Sequence, residues 1–128
     1  MTNHRSALVA SRVLIAVLLL AATAQARIDR QTNHVTFSGP VALPGIGLGT
    51  GTYIFERTDA DPRLVRVFNR DRSRVYFTGF THAVARPAGL HRDRIVTFAE
   101  GRPGVPPRVA AWYPVGTSTG YQFLYTSK

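Results

Sequence analysis

The fold is decided by the stretch LVRVFNRDRSRVYFTGF, residues 64–80. Two runs rich in β-branched and aromatic residues, at 63–69 and 74–81, lie on either side of the polar segment NRDRS at 69–73. Runs of this composition around a short cluster of turn residues are typical of a β-hairpin. The stretch therefore predicts two antiparallel strands joined by a charged turn.

Alternation along these two strands predicts which side chains share a face, because successive side chains of a strand point to opposite faces. In the first strand, Val65 and Val67 share one face. In the second strand, Val75 and Phe77 share one face and Tyr76 lies on the other.

Similar runs recur along the rest of the chain, and no segment after residue 26 shows apolar residues at helical spacing over three turns. The further predicted strands are 34–39, 51–57, 93–100, 108–114 and 121–126. The three prolines of the segment GRPGVPP at 101–107 have no N–H group to donate in strand pairing, so we expect an exposed loop or a crossover there. The pattern predicts an all-β, single-domain antiparallel β-sandwich or small barrel of about seven strands over residues 27–128.

Residues 1–26 have the three parts of a signal peptide in the right order. Arg5 and Arg12 precede the apolar run VLIAVLLLAATA, and the small-residue motif AQA follows it. The apolar run is too short to span a bilayer comfortably, which disfavours the alternative of an uncleaved anchor. We expect cleavage before Arg27 and export from a bacterium as a secreted or periplasmic chain that does not span the membrane.

The composition narrows the possible chemistry. The chain has no cysteine, which excludes a disulfide framework, a thiolate metal site and a lipid anchor through cysteine. Its net charge is +9 and Lys128 is its only lysine, so arginine supplies almost all of the positive charge. Arginine is favoured for planar, bidentate contacts and aromatic stacking, but a compositional bias of the genome produces the same excess.

The glycine-rich stretch LPGIGLGTGTYIFE, residues 43–56, does not fit a nucleotide site. A dinucleotide fingerprint needs a third glycine where this chain has Thr50 or Thr52, and a phosphate-binding loop needs a lysine. No helix start follows to bind an anion. We expect a turn at Pro44-Gly45 and no cofactor.

Three stretches together carry a resemblance: VALPGIGLGTGTYIF (41–55), LVRVFNRDRSRVYFTGF (64–80) and AWYPVGTSTGYQFLY (111–125). They resemble elements of small exported bacterial β-domains of unassigned function, including secreted proteins of soil bacteria. That group usually has alanine where this chain has Thr50. The resemblance implies a compact β-domain and export, and it carries no catalytic residue to transfer.

The predicted hairpin turn carries the best candidate binding residues, Arg70, Arg72 and Arg74, with Tyr76 just beyond. If the three guanidinium groups converge, they would bind an anionic ligand or polymer. The alternative is a solvated turn whose charge keeps the protein soluble and its edges unpaired.

Two weaker candidates concern metal and hydrolase chemistry. His82 and His91 lie on either side of the RPAG turn and could meet Asp93 or Glu100, but no histidine pair has metal-ligand spacing. Glu56 and Glu100 could form the carboxylate pair of a glycosidase if they shared a cleft. We predict neither a metal site nor an enzyme.

The C-terminal aromatic residues have two interpretations. Trp112, Tyr113, Tyr121 and Tyr125 would form either a stacking platform for sugars or a protein partner, or part of the core. The sequence as a whole favours a non-catalytic exported β-domain that binds a protein partner or an anionic envelope component. The alternatives are a small glycosidase-like enzyme and a purely structural envelope protein.

Overall fold

The computed structural model describes residues 32–126, which form nine β-strands and no helix. The strands are β1 Thr32–Phe37, β2 Val41–Leu43, β3 Ile46–Leu48, β4 Gly51–Arg57, β5 Leu64–Asn69, β6 Val75–Ala85, β7 Val96–Phe98, β8 Val109–Trp112 and β9 Thr119–Phe123. The signal peptide predicted for residues 1–26 lies outside the described residues. Within those residues, no helix is long and apolar enough to cross a membrane.

Seven strands form one antiparallel sheet in the order β1-β4-β5-β6-β9-β8-β7, and these are the seven strands that the sequence predicts. The sheet curls into a half-barrel, so the all-β fold class is confirmed. The eleven-residue strand β6 joins its two halves, because its first part pairs with β5 and its second part pairs with β9. A long strand of this kind lets the right-handed twist of the sheet accumulate into a curved wall.

The short strands β2 and β3, which the sequence analysis does not predict, form a separate hairpin. Pro44 and Gly45 connect them, and Gly45 has a φ of 75°, as the third position of a type II turn requires. The turn expected at Pro44-Gly45 is therefore confirmed. The hairpin is tied to the rest of the fold where the Ala42 N–H donates to the Pro107 carbonyl at 2.8 Å. The loop at 101–107 is exposed, as expected.

The core lies on the concave face of the half-barrel. Val65 and Val67 have no exposed surface, which confirms the predicted face of β5. They pack with Phe55, whose ring lies 5.9 Å from that of Trp112 and 6.2 Å from that of Phe123. Burial of such large apolar side chains is the main favourable term in folding a domain of this size.

The predicted faces of β6 are wrong at Val75 and Tyr76. A bulge shifts the β5–β6 register, so that Val67 pairs with Phe77 but Phe68 pairs with Val75. The extra residue lets Tyr76 and Phe77 both pack against the core, and it leaves Val75 half exposed. A bulge breaks the two-residue period on which the prediction depends.

The edge strand β1 approaches strands β8 and β7, at the opposite end of the sheet, along a seam. At one end of the seam, Asn33 Oδ1 accepts hydrogen bonds from Trp112 Nε1 and the Val115 N–H, both at 3.1 Å. At the other end, the rings of Phe37 and Phe98 lie 6.2 Å apart beside an open groove of about 630 Å³. The seam is therefore closed by polar bonds at one end and open at the other.

Candidate functional site

The turn between β5 and β6 is held by its own side chains. Asp71 Oδ1 accepts hydrogen bonds from the Ser73 N–H at 3.0 Å and the Ser73 hydroxyl at 2.6 Å. Asn69 Oδ1 accepts from the Arg74 N–H at 2.8 Å. Hydrogen bonds from Ser73, first its side chain and then its backbone, lower the pKa of Asp71, so this carboxylate is ionised at neutral pH.

The conformation of this turn places the Arg72 side chain on the opposite face of the sheet from Arg70 and Arg74. Arg72 has a φ of 62°, a left-handed conformation that is uncommon for a residue with a side chain. Its guanidinium stacks on Phe68 with a 5.2 Å separation, and its Nη1 lies 3.3 Å from Glu56 Oε2. Because Phe68 and Glu56 lie on the convex face, Arg72 covers that face.

Arg70 and Arg74 stay on the concave side, at the mouth of the half-barrel. The Arg74 guanidinium lies 4.9 Å above the Tyr76 ring, which in turn meets Tyr53 edge to face at 5.5 Å. Arg70 lines a depression of about 630 Å³ together with Asp71 and both tyrosines. We call the arrangement of Arg70, Asp71, Arg74, Tyr76 and Tyr53 the arginine–tyrosine cleft.

The glycine-rich stretch contributes the opposite wall of the cleft, at residues 50–53. Gly51 has a φ of 149° where the chain enters β4. The Tyr53 hydroxyl donates to the Gly49 carbonyl at 2.8 Å, which fixes its ring against Tyr76. Burial, and to a lesser extent the nearby Tyr76, raise the pKa of Tyr53. The stretch therefore shapes the cleft without forming a phosphate-binding loop.

Neither Arg70 nor Arg74 makes an ion pair with a carboxylate in the part of the chain that the structure describes. The Arg74 guanidinium lies 4.9 Å from the centre of the Tyr76 ring, and a guanidinium group that contacts a ring through its face keeps its in-plane N–H donors for other partners. Arg70, which lines the depression beside Asp71, and Arg74, which lies over Tyr76 in its wall, therefore both offer guanidinium donors to a ligand.

The other predicted sites are not assembled. Glu56, in β4, accepts hydrogen bonds from the side chains of Thr32 and Arg72. Glu100 is exposed after β7 and makes no contact with Glu56. His82 is exposed on β6, and His91 lies 3.5 Å from Asp93 in the following loop. Among residues 32–126, no three histidine or acidic side chains form a metal-binding group.

The C-terminal aromatic residues belong to the core, which decides between their two interpretations. Trp112 has no exposed surface, and Tyr113 and Tyr121 are almost as deeply buried. Tyr125 is partly buried, with its hydroxyl 2.7 Å from the Val109 carbonyl. Trp112 is therefore not available as a surface platform for a sugar.

The arrangement defines an all-β half-barrel with an arginine–tyrosine cleft at its mouth. No protein-family model, curated protein or solved structure matches the chain. Tyr53 and residues 50–52 belong to this site but are not among the binding residues predicted from the sequence. The only sequence signal for them was that the glycine-rich stretch leads directly into a strand with an aromatic residue at position 53.

Proposed function

We propose that the protein is an exported, non-catalytic β-domain that binds an anionic partner at the arginine–tyrosine cleft. One observation carries the proposal: Arg70 lines the depression and Arg74 lies over Tyr76 in its wall, and neither has a carboxylate ion-pair partner among the described residues. Guanidinium groups bind carboxylate, sulfate and phosphate through two parallel N–H donors.

The surroundings of the two arginines favour recognition over solubility alone. Stacking on Tyr76 restricts the rotation of Arg74, so less side-chain entropy is lost when it binds a ligand. The turn bonds of Asn69 and Asp71 hold the backbone that carries both arginines. Each exposed ion pair contributes only about 1 kcal/mol or less, so a partner with several charges is favoured.

Export is part of the proposal and is supported by the features of residues 1–26, namely basic residues, an apolar run and the AQA motif. A secreted or periplasmic protein meets acidic polymers of the cell envelope. A purely structural role in the envelope and a small glycosidase-like activity are the alternatives, and the ion pair that Glu56 makes with Arg72 on the convex face argues against the latter.

The proposal is tested by salt elution from heparin, with two doubly substituted variants that lose the same charge. One variant carries Arg70→Gln and Arg74→Gln in the cleft. The control carries Arg92→Gln and Arg94→Gln, which are exposed in the loop between β6 and β7. We expect the cleft variant to elute at clearly lower salt than the control, because only it loses localised donors.

Equal elution of the two variants would show that heparin responds to net charge alone, and the cleft would then have no special role. Circular dichroism of both variants checks that the fold is retained. Arg72→Gln serves as a further control from the same turn, because Arg72 is already paired with Glu56 on the convex face.

A further inference from the structure

We infer that the anionic partner is an acidic sugar, with hydroxyl groups next to its carboxylate, rather than a bare polyphosphate or polysulfate chain. This inference rests on the proposed function and adds the class of ligand to it. The observation behind it is that the depression in the arginine–tyrosine cleft is lined by a carboxylate, Asp71, as well as by Arg70.

Asp71 makes the cleft unfavourable for a ligand that offers only negative oxygens. A phosphate or sulfate group bound by Arg70 approaches the Asp71 carboxylate and is repelled by it. A sugar hydroxyl next to a carboxylate instead donates a hydrogen bond to Asp71. Hydrogen bonds to charged acceptors are among the stronger ones.

Asp71 retains the capacity to accept such a bond. Ser73 occupies its Oδ1 with the backbone N–H and the hydroxyl, whereas an ionised carboxylate has about four acceptor positions. The carboxylate lies at an exposed turn, within reach of a ligand in the depression.

The remaining lining residues also suit a sugar. Tyr76 and Tyr53 supply an aromatic wall against which the C–H groups of a sugar ring can pack. Thr50 adds an exposed hydroxyl to the rim. The cleft combines guanidinium donors, one carboxylate acceptor, a hydroxyl group and two tyrosine rings. These match the carboxylate, the hydroxyl groups and the ring of an acidic sugar.

The test compares Asp71→Asn with the wild-type protein, using trigalacturonate and inorganic tripolyphosphate as probes at the same ionic strength. Asparagine keeps the Oδ1 acceptor for Ser73, so we expect the turn to be preserved. The NMR spectrum of the backbone amide protons of the variant checks that the turn is unchanged. By titration calorimetry we expect trigalacturonate affinity to fall about tenfold, because a hydrogen bond to a charged acceptor is lost. Tripolyphosphate affinity should rise instead, because a repulsive charge is removed.

The control Arg72→Gln, on the convex face, should leave the affinity for trigalacturonate nearly unchanged. The inference is overturned if Asp71→Asn strengthens or leaves unchanged the binding of trigalacturonate, or if only tripolyphosphate binds the wild-type protein. In those cases the proposed anion binding still stands. If neither probe binds, both the inference and the proposed function fail.

Discussion

Gly120, on β9, lies directly against the ring of Tyr113. A Cβ at position 120 would overlap the Tyr113 ring carbons Cδ1 and Cε1. The ring has little room to move, because it is buried and the Arg86 guanidinium lies 5.6 Å from its centre. Arg86 is itself fixed by hydrogen bonds from Nη2 to the carbonyls of His91 and Arg94. Close packing at this glycine is therefore a requirement of the fold.

We predict that Gly120→Ala lowers the free energy of unfolding by about 1–3 kcal/mol, the usual cost of overpacking a well-filled site. Urea unfolding followed by circular dichroism measures the change. The matched control is Gly89→Ala, because a Cβ at Gly89 meets no atom within 4 Å. Similar unfolding midpoints for the two variants would contradict this account of Gly120.

Tyr125 gives the protein a pH-dependent stability. Its hydroxyl lies 2.7 Å from the Val109 carbonyl and 3.0 Å from the Ala42 carbonyl, so ionisation would place a negative charge against two carbonyl oxygens. Burial raises the pKa of Tyr125 to about 12 from an ordinary 10.0, and the nearby Arg108 partly opposes this rise. The folded state thus retains a proton that the unfolded state loses first.

The resulting stability is fully present below pH 10 and is lost as the pH rises from about 10 to about 12. We expect the urea midpoint to fall across this range. In Tyr125→Phe the fall should be smaller, although this variant starts from a lower stability because it lacks the hydroxyl bonds. A fall of the same size in both proteins would rule out Tyr125 as its main source; the raised pKa of Tyr53 contributes in the same direction.

At the scale of the strands, β1 is attached to β8 and the loop after it through one buried side chain. Asn33 accepts from Trp112 Nε1 and from the Val115 N–H, and its own Nδ2 donates to the Thr32 carbonyl. No other acceptor for the Trp112 indole N–H is found within the described residues. Removing Asn33 would therefore leave a buried donor without a partner.

We predict that Asn33→Ala lowers the free energy of unfolding by about 2–4 kcal/mol, because two donors lose their acceptor and one of them is fully buried. The control is His34→Ala, the exposed neighbour on the same strand. Urea unfolding monitored by Trp112 fluorescence measures both. A loss below 1 kcal/mol for Asn33→Ala would mean that water replaces the acceptor.

The sequence predicts the strands better than it predicts the way they pack. The seven long or strongly alternating runs are all strands of the sheet, because their composition decides their local structure. The hairpin of Val41–Leu43 and Ile46–Leu48 escapes prediction, because each strand has three residues and pairs chiefly with the other. Tyr76 packs against the core and Val75 is half exposed because of a bulge, which can be seen only in the register between β5 and β6.

The candidate site is likewise predicted only in part, because its geometry depends on how distant segments pack. The hairpin turn identifies Arg70, Arg72 and Arg74, but the left-handed backbone at Arg72 separates one of them from the other two. Tyr53 reaches the cleft through the β4–β5 register, in which it pairs with Asn69. Pairings between distant segments are set by the packing of the whole sheet, which a local pattern does not contain.

For the molecule as a whole, the two ends of the seam that β1 forms with β8 and β7 differ in how firmly they are held. The Asn33 end is tied by hydrogen bonds, whereas the Phe37 end is held across the seam by a contact between two rings, one of them half exposed. We therefore expect thermal fluctuations to separate the two edges of the wall first beside Phe98. We expect an apolar dye to reach the core from that side, through the groove lined by Phe37 and Phe98.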